Sequence, residues 1–347
     1  MNFMNSFSAE ILRWFRENGR DLPWRETRDP YAIWLSEIIL QQTRIAQGWE
    51  YWERFMQTYP QVEDLATASE DDVLKLWQGL GYYSRARNLH AAARQIVVLG
   101  EFPNTLDGIK SLKGVGDYTA AAIGSFAFNL PAAVVDGNVY RVLSRYFGID
   151  TPINSTQGKK EFAALAQSLL PASEAAAYNQ GMMDFGAIQC TPQSPKCLLC
   201  PLAETCEALR NGRVEELPVK NKTVKVKTRH LSYVYIRYKA LALGSHAEAE
   251  SWIAIHRRGE GDIWQGLWEP YNISDMKELP SFVKNPILLA KDVKHVLTHR
   301  ILLADFYLLE VEEHPSLPDD YIWIKESEIE NYGVPRLIEI MLEKIHQ

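Results

Sequence analysis

Cys190-Thr191-Pro192-Gln193-Ser194-Pro195-Lys196-Cys197-Leu198-Leu199-Cys200-Pro201-Leu202-Ala203-Glu204-Thr205-Cys206 contains every cysteine of this chain. The spacing is C-x6-C-x2-C-x5-C, and no other cysteine occurs in 347 residues. A protein that used thiols for packing would scatter them, and a secreted disulfide scaffold would need many more per residue. Disulfides are the alternative reading, but the sequence offers no secretory context. Four thiolates in one loop therefore read as ligands of one metal centre. Zinc and an iron–sulfur cluster both accept four cysteines. Zinc sites usually pair theirs as two C-x2-C knuckles, and only Cys197 and Cys200 form such a pair, which favours a [4Fe–4S] cluster.

On the amino-terminal side of that loop the chain reads as nearly all helical. Amphipathic segments are expected at 6–17, 31–58, 70–78, 83–99, 105–111, 118–128, 138–147, 156–169 and 174–189. In the 31–58 segment Trp34, Ile38, Ile45, Trp49, Trp52 and Met56 form a core stripe. On the carboxy-terminal side Lys220, Lys222, Lys225, Lys227 and Arg229 follow one another with no acid between Glu216 and Glu248. A solvated linker explains that run as well as a phosphate-contacting one. Beyond it Tyr233–Lys239, Trp252–Arg257, Val293–Thr298 and Leu302–Leu309 read as strands, and Pro335–Ile345 as a helix. The expected organisation is multidomain: an all-α domain over 1–217, a basic linker over 218–230 and an α+β domain over 231–347.

A net charge of −7 argues mildly against nucleic acid, although total charge is a weak guide when basic residues cluster. No apolar run approaches 18 residues, so no membrane span is expected. The start Met1-Asn2-Phe3-Met4-Asn5-Ser6 lacks the basic and apolar regions of a signal peptide, so a cytoplasmic location is expected.

Leu112-Lys113-Gly114-Val115-Gly116-Asp117-Tyr118 separates a short helix from an Ala-rich one. Gly114 and Gly116 permit a tight turn that leaves amide donors at the next helix start, where phosphate is the usual guest. An ordinary helical hairpin would use the same glycines. Asp117 would repel a phosphate and is read as the helix N-cap.

Glu37 shares a helix face with Ile33, Trp34, Leu40 and Gln41, so its carboxyl group should resist ionisation. Its pKa is expected to rise toward about 6–7, which suits a general acid. The alternative is a structural glutamate paired with Arg25 or Arg44. Asp136 precedes a helix and reads as an N-cap or turn residue. Together the two carboxyls have the types a glycosidase uses, one to donate a proton and one to stabilise a sugar cation.

Leu22-Pro23-Trp24-Arg25, Ser36-Glu37 with Leu40-Gln41-Gln42-Thr43, Gly79-Leu80-Gly81-Tyr82-Tyr83-Ser84-Arg85, and Val135 to Val142 resemble the adenine DNA glycosylases of the MutY type. With the hairpin and the cysteine loop, which is similar to that of the endonuclease III superfamily, the resemblance covers about 22 to 206. It implies a helix-hairpin-helix core at about 105–128, a [4Fe–4S] cluster on the four cysteines and a duplex DNA partner carrying adenine opposite 8-oxoguanine. A monomer working in the cytoplasm, on the nucleoid in a bacterium, is the implied form. Glu37 would protonate the departing adenine, Asp136 would stabilise or bond to the sugar cation, and Tyr118 and Asn138 would support that intermediate. Gln42 and Tyr82 match intercalating positions, with Thr43, Arg44 and Gly81 beside them; Arg25 and Gln180 match the base pocket. Where endonuclease III places a Schiff-base lysine, this chain has Tyr118, so a monofunctional enzyme is expected.

The carboxy-terminal half resembles the NUDIX-like domain of the same family through Trp264-Gln265-Gly266-Leu267-Trp268-Glu269. The acidic metal-binding helix of NUDIX hydrolases is missing, so recognition rather than hydrolysis is expected there. Leu297-Thr298-His299 stands where the family contacts 8-oxoguanine, with Leu297 in place of an aromatic wedge. Two other readings stay in play: an endonuclease III-like glycosylase/lyase, and a non-catalytic helix-hairpin-helix DNA binder with structural zinc.

Overall fold

Helices dominate up to Arg210 and a sheet takes over from Lys227. The computed structural model describes residues 3–221, 226–239 and 250–346; Lys222 and Lys225 of the expected linker lie outside them. In chain order the helices are α1 (Phe3–Asn18), α2 (Pro30–Ile39), α3 (Ile45–Thr58), α4 (Val62–Thr67), α5 (Glu70–Leu76), α6 (Ser84–Leu99), α7 (Leu106–Lys110), α8 (Asp117–Phe128), α9 (Gly137–Phe147), α10 (Thr156–Leu169), α11 (Ala175–Asp184) and α12 (Glu207–Arg210). The strands are β1 (Lys227–Lys239), β2 (Ser251–Arg257), β3 (Trp268–Glu269), β4 (Tyr271–Asn272), β5 (Ile287–Leu297), β6 (Arg300–Val311) and β7 (Tyr321–Lys325), followed by α13 (Arg336–Ile345). Two compact units result: residues up to 66 with those from 91 to the linker, and 67–90 with those beyond it.

The first unit packs around Phe7, Ile11, Trp14, Val142, Leu143, Phe162 and Phe185, with α1, α9, α10 and α11 supplying the apolar faces. Helix α2 is different. All its residues from Tyr31 to Ile39 are buried, so a carboxyl group on it has little access to water. Asp29 starts this helix by accepting the Tyr31 amide, and Pro30 takes the first position, where its missing N–H costs nothing.

The long helix expected over 31–58 is two helices, broken over residues 40–44. Gln42 sits at φ 58°, a left-handed conformation that ends the hydrogen-bond ladder. After the break the buried positions are Gly48, Tyr51 and Phe55. Ile45, Trp49, Trp52 and Met56 are only half-buried, so the stripe read from the sequence runs one residue out of phase. The helix expected over 174–189 also changes character: α11 ends at Asp184 and a π-helical turn carries the chain through Phe185–Gln189. Close packing forces this. A Cβ on Gly186 would stand 2.6 Å from the Asn138 Cβ, and Arg141 takes the Gly186 carbonyl at 2.6 Å.

In the second unit the sheet order is β3-β2-β1-β6-β5, with β4 on β1 and β7 on β2. Strands β1 and β6 are parallel and the other pairs antiparallel. Strand alternation sends Tyr233 and Tyr235 to one face, under Leu337, Ile338 and Met341 of α13, and Val234 and Ile236 to the other, with Tyr271 and Val283. Strand β1 begins at Lys227 inside the stretch expected as linker, because Lys227–His230 pair with Arg300–Leu303 of β6. Thr298 and His299 form the two-residue turn that joins β5 to β6.

Candidate active site

A cavity of about 720 Å³ in the first unit gathers nine of the residues singled out from the sequence: Arg25, Glu37, Gln42, Thr43, Arg44, Tyr118, Asp136, Asn138 and Gln180. They come from five places: the 3-10 turn Pro23–Arg25, the end of α2 with the break after it, and the starts of α8 and α9 with the middle of α11. Helix α2 contributes Glu37, which is 6% exposed. Tyr118 donates its hydroxyl proton to Glu37 Oε2 at 3.2 Å. Burial pushes the Glu37 carboxyl up to about 7, against the pull of that hydrogen bond and with a push from the Asp136 charge; Arg25 lowers it slightly. Burial and the Glu37 charge likewise raise the Tyr118 phenol well above its ordinary range.

Asp136 is the N-cap of α9. Its Oδ1 accepts the amides of Asn138 at 2.9 Å and Val139 at 2.8 Å, and its Oδ2 accepts Asn138 Nδ2 at 2.7 Å. Burial raises its pKa and these bonds oppose the rise. Every partner is a donor, so these hydrogen bonds favour the carboxylate form against the burial. The cavity thus pairs a carboxyl group that prefers its proton with one whose hydrogen bonds favour the anion, the kind of difference by which acid and base roles are assigned.

Arg25 does not pair with Glu37. Its two terminal nitrogens bind the two oxygens of Asp184 at 2.8 and 2.9 Å. Asp184, fully buried at the end of α11, also accepts from the Arg20 amide and side chain. Neither Asp184 nor Arg20 stood out in the sequence. Asp184 lies four residues after Gln180, so a shared helix face was readable, but its partners are some 160 residues away.

The hairpin keeps its expected form, with Gly114 at φ 79° and α7 N-capped by Thr105. The N-cap of α8 is Gly116, not Asp117, which is the first helical residue. A side chain at Gly116 would meet nothing within 4 Å, so the backbone there is open to approach. The Asp117 carboxylate is tied to Lys110, an exposed pair that offsets the charge expected to repel a phosphate.

Cys190, Cys197, Cys200 and Cys206 line one small cavity together with Arg145. All four are free of disulfides. Burial pushes the Cys200 thiol up to about 11, with the neighbouring sulfurs adding to it, and Cys197 and Cys206 shift the same way. Such crowding of thiols is relieved when a metal takes their protons' place. Four thiols lining one cavity are the donor set that a [4Fe–4S] cluster takes. Two arginines of α9, unmarked in the sequence, tie this loop inward. Arg145 donates to Cys190 Sγ at 3.4 Å and to the Thr191 carbonyl at 2.7 Å. Arg141 bridges the Cys190 carbonyl at 2.7 Å and Asn138 Oδ1 at 2.8 Å.

In the second unit a cavity of about 670 Å³ is lined by Gly81, Tyr82, Trp264, Leu297, Thr298 and His299 among others. The hydroxyls of Tyr82 and Thr298 are hydrogen-bonded. Tyr82, at φ 47°, is left-handed like Gln42, and residues held in that region cluster at functional sites. Leu297 is half-buried against the sheet core, whereas its neighbour Val296 is 64% exposed.

Comparison with known proteins adds the family. A model of the HhH-GPD superfamily of base excision DNA repair proteins matches residues 35–171, and a NUDIX domain model matches 243–344. The iron-sulfur binding domain of endonuclease III matches 190–206. Along nearly the whole chain, the adenine DNA glycosylase of Buchnera aphidicola subsp. Acyrthosiphon pisum is 32% identical over 347 residues, covering 97% of each chain. The chain belongs to the adenine DNA glycosylase family. The human adenine DNA glycosylase is 41% identical over 225 residues, which are 62% of this chain and 41% of that one. Among solved structures, a thermostable thymine-DNA glycosylase is 34% identical with TM-score 0.56, over 60% of this chain and 97% of its own. An endonuclease III trapped on DNA, 24% identical with TM-score 0.53 over 61% of this chain and 99% of its own, shares the fold. As in its family, this glycosylase carries an iron–sulfur cluster in the 190–206 loop, a [4Fe–4S] centre on four cysteines. Among the described residues no helix is long and apolar enough to cross a membrane.

Proposed function

We propose that the chain is a monofunctional DNA glycosylase that hydrolyses the bond between deoxyribose and adenine mispaired in duplex DNA, with 8-oxoguanine as the preferred partner base. The observation that carries the reading is one cavity holding a proton-retaining Glu37 and an Asp136 whose two oxygens accept three hydrogen bonds.

An extruded adenine enters that cavity, at a cost of a few kcal/mol for flipping that a mismatch lowers. Gln42, held in strained backbone at the cavity edge, fills the space it leaves. Glu37 transfers its proton to a ring nitrogen as the C1′–N9 bond breaks and its electron pair passes to the base. The sugar is left as a cation beside the Asp136 carboxylate, which stabilises it or bonds to it until water adds at C1′. Asn138 fixes that carboxylate, and Tyr118 orients Glu37. No lysine lines the cavity among the described residues, so an amine to attack the sugar is lacking and strand cleavage should be weak. When bound, the cluster supplies four metal–thiolate bonds that staple the loop on which Arg141 and Arg145 rest. Thr298 and His299, exposed at the β5–β6 turn, supply donors and acceptors for the opposite base.

Single-turnover adenine release from duplexes that differ only in carrying guanine or 8-oxoguanine opposite adenine tests this. Faster release opposite 8-oxoguanine is expected. Equal rates would remove the role given to residues 297–299, and no adenine release from either would sink the assignment itself.

A further inference from the structure

Glu37 can act as an acid near neutral pH only if no cation settles against it. The ionisable side chains that line its cavity besides Glu37 are Arg20, Arg25, Arg44 and Asp136, with the phenols of Tyr118, bonded to Glu37 itself, and Tyr140. Arg25 is the cation that acts on Glu37 through space. Its side chain is only 12% exposed, so solvent does little to screen it. Yet its fork is turned away, both terminal nitrogens on Asp184 and one also on the Arg20 carbonyl at 3.0 Å. Asp184 is fully buried, and Arg20 closes it from the other side through its backbone amide at 2.9 Å and its Nε at 2.8 Å. Two cations share one anion, so the cluster keeps one net positive charge, and the geometry fixes where that charge lies.

We infer that Asp184 is a positioning residue for the glycosylase step: it clamps the Arg25 guanidinium away from Glu37, and so keeps Glu37 able to hold the proton it must deliver. The inference rests on the proposed role of Glu37 and goes beyond it, because Asp184 touches neither base nor sugar. A buried guanidinium released from Asp184 has two carboxyl groups left in its cavity, Glu37 and Asp136, and an arginine beside a carboxyl group lowers its pKa by about 1–3 units.

The test is the pH profile of single-turnover adenine release. In the wild type the rate should fall as pH rises through about 7, where Glu37 loses its proton. In Asp184→Asn that falling limb should move down by at least about one pH unit, so release drops roughly tenfold at pH 8 and little at pH 5.5. Adding Arg25→Gln to Asp184→Asn removes the stray cation and should return the limb to its wild-type position, even if the plateau is lower. A loss equal at all pH values in Asp184→Asn, or a limb that the double variant fails to restore, would overturn the inference and leave Asp184 a merely structural anchor. If Asp184→Asn does not fold, Asp184→Glu carries the test, and a wild-type limb there is required. Should the wild type itself release adenine with no falling limb near 7, Glu37 is not the acid, and the underlying reading fails before Asp184 is judged.

Discussion

Two cavities of this molecule, one in each unit, are nearly equal in volume and different in chemistry. The one in the helical unit holds Glu37, Asp136, Arg25 and Arg44, ionisable groups in a place where burial resists charge. The one in the sheet-bearing unit presents Tyr82, Trp264, Leu297, Thr298 and His299: rings, an aliphatic chain and hydroxyls. Its acid, Asp262, is bound by Arg229 and Arg258 at 2.7 Å, and Arg87, Arg300 and Arg336 also line the cavity, so its charged lining is cationic, with no free carboxylate among the described residues. Breaking a glycosidic bond needs an acid that keeps its proton near neutral pH, whereas reading a base is served by shape, hydrogen bonds and cations that meet the surrounding phosphates. The contrast separates the step that is catalysed from the step that selects, and it can be broken at either cavity.

The largest effect is expected at Glu37. Glu37→Gln keeps the shape and removes the proton, so adenine release should fall by about 10³ or more while binding to the mismatch duplex persists. The same variant reports the energy stored at the site. The carboxyl group holds its proton up to about 7 in the fold and to 4.5 in the unfolded chain. A folded pKa raised in this way leaves stability intact below pH 4.5 and erodes it as pH rises to 7, by on the order of 3 kcal/mol. Glutamine carries no such penalty. Glu37→Gln should therefore raise Tm at pH 8 and hardly at all at pH 4.5, and a pH-independent difference would refute the account of its burial.

Next in size is the cluster loop. Arg141 hydrogen-bonds both the Cys190 carbonyl and Asn138, whose side chain in turn donates to Asp136. Removing the iron with an oxidant and chelator, or replacing Arg141 with Gln, should slow adenine release roughly 10–100-fold, the usual cost of losing an outer support. Absorption near 400 nm should vanish on iron removal and survive in Arg141→Gln. Unchanged release after complete loss of iron would show that the loop and the cavity are uncoupled.

How much of this could be read before folding depends on whether the signal is local. Cys190 to Cys206, Gly114 with Gly116, and Glu37 beside apolar neighbours are local patterns, whereas Tyr118, Asn138, Gln42 and Gln180 were named through the family resemblance. The break after α2 was not visible, because Leu40-Gln41-Gln42-Thr43 has good helix formers and no Gly or Pro. Tertiary packing, which puts Gly48, Tyr51 and Phe55 inward, overrode them. Asp184 with Arg20 and Arg25, and Arg141 with Cys190, are pairs between distant stretches, and no periodicity announces such a partner. The grouping of residues 67–90 with the carboxy-terminal unit is long-range in the same way.

The smallest effects are expected in the second cavity, and they discriminate between neighbours. Thr298 is exposed at its turn and shares a hydrogen bond with the Tyr82 hydroxyl. Thr298→Ala removes one hydrogen bond worth about 1 kcal/mol, so the preference for 8-oxoguanine over guanine should fall roughly fivefold, with release opposite guanine unchanged. Leu297 is packed in part against the sheet core, opposite Arg300 across the hairpin. Leu297→Ala should therefore show first as a lower Tm and less than a twofold change in preference. If the order is reversed, with Leu297→Ala erasing discrimination and leaving Tm alone, then Leu297 swings out of the core on DNA, and a branched aliphatic chain does at this turn what an aromatic ring would otherwise do.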